Sequence, residues 1–198
     1  MKKIGNTLNN ETYKTIKERI ERLINLKEHH IIKEIKKDIR NMEFKTENIN
    51  KVSDLIIEKY NNYVDKIDKE YKIKKASEHI TPLKLQKLLY YVQGMSLFYF
   101  NKEAFSNKIM AWSYGPVVEE IYEQYKRNGK AEINLFVRDN DVSKGLNEII
   151  DEVVKYYGKY SATWLVELTH DEDPWKDTEH NQEISKEKIK KYFEEVYK

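Results

Sequence analysis

ITPLKLQKLLYYVQGMSLFYFNKEAFSNKIMAWSYGPV, residues Ile80–Val117, is the stretch whose reading decides the fold. Thr81 and Pro82 form a helix start: a hydroxyl able to cap, then a proline at the first helical position, where its missing N–H is no loss. From Leu88 to Phe100 apolar and aromatic residues run almost all the way round a helix. Such a segment has no wide polar face to give to water and is expected in the middle of a domain. The stretch closes with Tyr114-Gly115-Pro116-Val117, where the glycine supplies an unusual backbone angle and the proline is expected to restart a helix.

Composition sets the limits around this core. In 198 residues, 39% are apolar and 35% charged, so the core is real but economical, and 15 tyrosines dominate the aromatics. A tyrosine can pack its ring while its hydroxyl stays wet or bonded. There is no cysteine, which removes disulfides, thiolate nucleophiles and cysteine-based zinc or iron–sulfur sites together. No long apolar run exists, and the N-terminal lysines are not followed by a signal-peptide core, so a soluble cytoplasmic protein without membrane contact is expected.

The formal net charge of +2 conceals an asymmetry. Residues 1–45 hold 12 Lys/Arg against 7 Asp/Glu, whereas the remainder holds 24 against 27. A basic arm on a mildly acidic body can dock on that body, on an acidic partner or on nucleic acid.

Working outward, Ile16, Ile20, Leu23, Ile24, Ile31, Ile35, Ile39 and Met42 fall mostly three or four apart, predicting an amphipathic helical arm over Tyr13–Met42. Val52, Leu55, Ile56, Tyr60, Tyr63, Val64 and Ile67 predict the first helix of the main body. After Phe100, Ile109–Trp112 is too short for a helix and reads as a single short strand or an extended wall. Val117, Ile121, Tyr122 and Tyr125 predict one helix face stopped at Asn128-Gly129. Ile133–Val137 reads as a brief strand, and Leu146–Tyr157 as another amphipathic helix. Ser161 is a cap for a helix with Trp164, Leu165 and Leu168, and Asp173-Pro174-Trp175 a second cap and start, its indole free to plug a groove. The final helix begins at Ser185, with Ile184 and Ile189 as a hydrophobic staple. The expected architecture is mainly α: a helical domain over 49–198 with a central buried helix and at most a small β-hairpin, preceded by an amphipathic extension over 1–48.

Catalytic chemistry finds little support. His29 and His30 are adjacent and cannot share one metal from one helix face, which needs three- or four-residue spacing. Six glycines form neither a phosphate loop nor a dinucleotide fingerprint, so no metal and no cofactor are expected. His170 beside Asp171, Glu172 and Asp173 is the sharpest acid–base candidate, set against a strut that ties the Asp173-Pro174-Trp175 turn to the core. Nucleic-acid contact rests on residues 1–45 with Lys72, Lys74 and Lys75, yet the pI of about 8.4 is low for a dedicated binder.

Three motifs in order, Lys84–Tyr91 (KLQKLLYY), Ala111–Val117 (AWSYGPV) and Leu168-Thr169-His170 with Pro174-Trp175, resemble the Panacea, or SocA-like antitoxin, domain found in bacteria and prophages. The resemblance covers about Val52–Tyr197 and implies a mostly helical, non-enzymatic antitoxin that neutralises a cognate toxin by direct binding. It also implies a protease-adaptor role in at least one branch. The carried-over positions are Lys84, Gln86, Lys87 and Tyr90 on the central helix, Trp112, Tyr114, Gly115 and Pro116 at the corner, and Thr169, His170, Pro174 and Trp175 at the late turn. They are read as scaffold and contact surface. The arm departs from the family pattern and leaves a DNA-binding transcriptional regulator, or another phage-encoded protein-interaction module using the basic arm, as the alternative, while its apolar stripe is compatible with a homodimer.

Overall fold

The computed structural model describes residues 39–70, 78–134 and 141–197. They form α1 (Ile49–Glu70), α2 (Pro82–Phe100), β1 (Met110–Trp112), β2 (Gly115–Val117), α3 (Glu119–Tyr125), a 3-10 turn (Lys126–Asn128), α4 (Lys144–Tyr157), α5 (Ala162–Asp171), α6 (Asp173–Lys176) and α7 (Lys186–Tyr197). The fold is mostly helical, and the one sheet among the described residues is a two-stranded antiparallel hairpin. The arm expected over Tyr13–Met42, apart from Ile39–Met42, lies outside the described residues, as do Lys72, Lys74, Lys75 and the Leu135–Val137 part of the expected strand.

Helix α2 is the central element. The Thr81 hydroxyl accepts from the Lys84 N–H and Pro82 occupies the first turn. At the other end Asn101 takes a left-handed conformation, φ 53°, and its N–H returns to the Leu97 carbonyl at 3.0 Å. Leu85, Leu88, Leu89 and Val92 are fully buried, each worth about 1.5–3 kcal/mol relative to exposure. α1, α4, α5 and α7 pack around it, with β2 and α3 against its N-terminal half. Gly94 lets α7 come close, because a Cβ there would overlap the Phe193 ring.

The chain enters this body firmly. Phe44 stacks on Phe100 at 4.3 Å, the Lys45 N–H donates to Ser143 Oγ at 2.9 Å, and the Gly145 N–H donates to the Glu43 carbonyl at 2.8 Å. Helix α1 starts at Ile49, earlier than Val52, because the Asn48 side chain accepts from the Asn50 N–H at 2.8 Å.

Pro116 does not restart a helix. It lies inside β2, paired with Ala111, while Trp112 pairs with Gly115 across a turn of Ser113 and Tyr114. Proline locks φ near a value that suits an edge strand as well as a first helical turn, and with β1 as β2's paired neighbour the strand wins. Helix α3 therefore begins at Glu119, Val117 leaves its face, and Tyr122 turns outward instead of inward. Gly129 has positive φ, 58°, as a stop requires, after the added 3-10 turn. Ile133 lies outside any strand, its N–H donating to the Ile80 carbonyl at 2.7 Å.

β1 has a second neighbour from late in the chain. The Ala111 N–H donates to the Gln182 carbonyl, the Asn181 N–H to the Ala111 carbonyl and the Ile184 N–H to the Ile109 carbonyl, each at 2.8 Å. Ser161 caps α5 by accepting from the Trp164 N–H at 3.1 Å. Glu172, not Asp173, holds the cap position of α6, with Asp173 already helical. Ser185 Oγ accepts from the Lys188 N–H, and Ile184 and Ile189 are both buried beside it.

Candidate functional site

Helix α2 has no polar face, yet it carries Lys84, Gln86, Lys87 and Gln93, all buried. Buried polar groups need partners, and three of these four bind the backbone of the hairpin or its flanks. The Gln86 amide accepts from the Val118 N–H at 2.8 Å and donates to its carbonyl at 3.2 Å. The Lys87 ammonium, 0% exposed, donates to the Pro116 carbonyl at 3.0 Å. Gln93 accepts from the Ala104 N–H at 2.9 Å and donates to the Phe105 carbonyl at 3.2 Å. Lys84 instead joins α1 to the α4–α5 link, donating to Tyr60 Oη and the Gly158 carbonyl at 2.7 Å and to the Tyr160 carbonyl at 2.6 Å. Burial lowers its pKa to about 8.

Glu172 closes this interior network. Its two carboxylate oxygens accept from Tyr90 Oη at 2.7 Å and Tyr91 Oη at 2.9 Å. Burial raises its pKa to about 7, against the tyrosine hydrogen bonds and the Lys87 charge, which pull it down. Burial likewise depresses Lys87 to about 7, partly offset by Glu172. Tyr90 and Tyr91 are held neutral by burial and by that carboxylate.

The late motif grips the other side of the hairpin. Trp175 Nε1 donates to the Trp112 carbonyl at 2.9 Å, and His170 stacks on Trp175 with ring centres 3.8 Å apart. Thus the indole does not plug a groove; it clamps β1. Burial, then the Lys87 charge, lowers the His170 pKa, and the Asp173-Pro174-Trp175 turn reaches this histidine by stacking. Gly115 sits between the two grips with φ +91°, and a Cβ there would fall 2.5 Å from Lys87 Nζ and 2.7 Å from Thr169 Oγ1.

Of the twelve sequence-derived positions, Lys84, Gln86, Lys87, Tyr90, Gly115, Pro116, Thr169 and Pro174 are buried, and Trp112, His170 and Trp175 are half-buried. Tyr114 alone stands clear, 70% exposed at the hairpin tip. It borders a groove of about 550 Å³, walled by Pro82, Leu83, Trp112, Val117 and Tyr122 and reaching Lys126 and His180. Trp112 and Tyr122 meet edge to face at 4.9 Å. Tyr122 was hidden from sequence reasoning by its helical spacing. Glu172 was seen only as a neighbour of His170, although two tyrosines and two amides on a faceless helix signal that a buried acceptor must exist elsewhere. Among the described residues no group of His, Asp or Glu side chains is placed to hold a metal, and no helix is long and apolar enough to cross a membrane.

Residues 85–176, from α2 to the end of α6, match the family model described as antitoxin SocA-like, Panacea domain. Over these residues the chain is similar to that family. Antitoxin SocA of Caulobacter vibrioides (strain NA1000 / CB15N) is 32% identical over 110 residues, covering 48% of this chain and 58% of the relative. The chain thus spans a little over half the length of the curated relative it matches. No solved structure matches it. The matched Panacea segment contains the hairpin and both of its grips, whereas α1 and α7 lie outside it.

Proposed function

We propose that the protein is a cytoplasmic, non-catalytic antitoxin that neutralises a cognate toxin by direct contact. The observation that carries this reading is the use made of the Panacea motifs: Gln86, Lys87, Gly115 and Trp175 hold the hairpin from inside, and what they present to solvent is Tyr114. Rigid support behind an exposed aromatic is how binding surfaces are built. The fully enclosed pair Lys87 and Glu172 is engaged with Pro116, Tyr90 and Tyr91, and neither residue lines the groove.

Co-expression with each neighbouring open reading frame tests the proposal: one of them should arrest growth alone, be tolerated together with this protein, and co-purify with it. Neither rescue nor co-purification with any neighbour overturns it. The excess of Lys and Arg in residues 1–45 favours a second reading, DNA binding, which requires a gel shift that weakens with salt and disappears when residues 1–45 are deleted.

A further inference from the structure

We infer that the segment before Ile39 docks on its own body, with Ile31 and Ile35 continuing the apolar face that Ile39 buries and Lys33 and Lys36 set against the carboxylates of Glu148 and Glu152 on α4. The inference goes beyond the antitoxin reading and does not depend on it. It starts from where the described chain begins. Ile39 is helical, 2% exposed and part of the core, and the Met42 N–H returns to its carbonyl at 2.9 Å. The Gly145 N–H donates to the Glu43 carbonyl, so the chain meets α4 at that helix's first turn. The charges of Arg40 and Glu152 both act on the Tyr99 hydroxyl, as does the Tyr156 hydroxyl. The entering chain therefore follows the α4 face that carries Gly145, Glu148, Glu152 and Tyr156 one turn apart.

That face calls for cations. Glu148 and Glu152 are like charges at neighbouring turns, an unfavourable pairing on a helix. Glu152 Oε2 is enclosed without a hydrogen-bond partner, and Lys155 stands 3.9 Å from Oε1. Burial raises the Glu152 pKa, Lys155 opposes the rise, and the charges of Glu148 and Asp151 add to it. A half-enclosed carboxylate with an open acceptor is stabilised by a cation that bonds to it. The spacing of the sequence supplies such cations on the correct side. At helical spacing before Ile39, Ile35 and Ile31 share its face, and Lys36 and Lys33 fall on the same flank as Arg40. Glu34 and Asp38 fall on the opposite flank. A second copy meeting α4 with its own α4 would set these carboxylates against themselves, and they repel a phosphate strand. Tyr99 lies about 20 Å along α2 from Gln86, so a segment held there leaves the hairpin and Tyr114 uncovered.

The sequence has no cysteine, so introduced ones report without interference. In the full chain carrying Lys37→Cys and Lys155→Cys, a short bis-maleimide at low protein concentration should join the two within one molecule, read by gel mobility and peptide mass. Lys37→Cys with Glu123→Cys, on exposed α3, should not be joined. The yield of the first pair should fall severalfold with Glu148→Lys/Glu152→Lys or on raising the salt, and recover when Lys33→Glu/Lys36→Glu is added. A purely structural role for the two glutamates gives no such recovery. If Glu148→Lys/Glu152→Lys fails to fold, Glu148→Gln/Glu152→Gln takes its place and should also lower the yield. The inference is overturned if no joined product forms within one molecule, if the α3 control joins equally, or if the product links two chains. An unchanged yield in the glutamate variants, or no recovery on charge reversal, overturns it as well. None of these outcomes bears on the antitoxin reading, which co-expression tests separately.

Discussion

The Lys87 ammonium occupies space beside Gly115 that any other residue would need: a Cβ on Gly115 would lie 2.5 Å from Nζ, well inside van der Waals contact. The glycine is required twice, because its φ of +91° is also one that side chains rarely adopt. Gly115→Ala should therefore destabilise the protein by about 2–4 kcal/mol, combining backbone strain with overpacking. Urea denaturation measures this, and an unchanged midpoint would remove the close approach as the reason for the glycine.

Glu172 makes stability depend on pH in a stated direction. Its pKa rises from 4.5 to about 7 on folding, mainly through burial. Between those values the folded chain keeps a proton that the unfolded chain has released, so the stabilisation is full below about pH 4.5 and is lost as pH rises through about 7. The parent should thus lose stability relative to Glu172→Gln from pH 5 to 7. Parallel urea midpoints across that window check it; a parent midpoint that holds level with, or rises relative to, that of Glu172→Gln contradicts the raised pKa.

Trp175→Phe keeps most of the ring but deletes the hydrogen bond to the Trp112 carbonyl. The expected cost is about 1 kcal/mol, localised at the hairpin. Amide hydrogen exchange should quicken over Met110–Val118 while the buried amides of α2 keep their protection. Uniform acceleration would place the role of Trp175 in the global core instead.

Lys84 and Tyr114 should separate scaffold from surface. Lys84→Met strips the ammonium from the buried Gly158 carbonyl, the part-buried Tyr160 carbonyl and Tyr60 Oη, with an expected loss of about 2–5 kcal/mol. Tyr114→Ala removes an exposed ring and should shift stability by no more than about 0.5 kcal/mol. Thermal melts of the two variants read the contrast directly.

Gly94→Val should separate α7 from α2, since any Cβ at Gly94 would overlap the Phe193 ring. Overpacking of this kind costs about 1–3 kcal/mol, with loss of helix propensity added. Near-ultraviolet circular dichroism should change as well, because Phe193 lies against Tyr90, Tyr91 and Tyr197.

The central helix was legible because nothing about Leu88–Phe100 suits water, and the caps at Thr81, Ser161 and Ser185 were legible because capping is local chemistry. Pro116 misled for a related reason. Its local preference fits both a helix start and an edge strand, and the choice was made by Ala111 across the hairpin and by Lys87 behind it, neither of which is a neighbour in sequence. Tyr122 turned out because it sits one residue, about 100°, from Ile121, beyond the face that Ile121 and Tyr125 bury. The roles of Glu172 and Lys87 could not be assigned from order alone, since a carboxylate between two helices reads as surface until Tyr90 and Tyr91 converge on it.

The contact between β1 and residues 181–184 ties the hairpin to sequence made about 70 residues later. On the ribosome, the strands at Met110–Val117 emerge well before Trp175, Gln182 and Ile184 exist to hold them. The groove is consequently among the last parts of the molecule to be completed, and an unfinished chain cannot display it. The outer face of the hairpin is therefore fixed only once synthesis has passed Ile184.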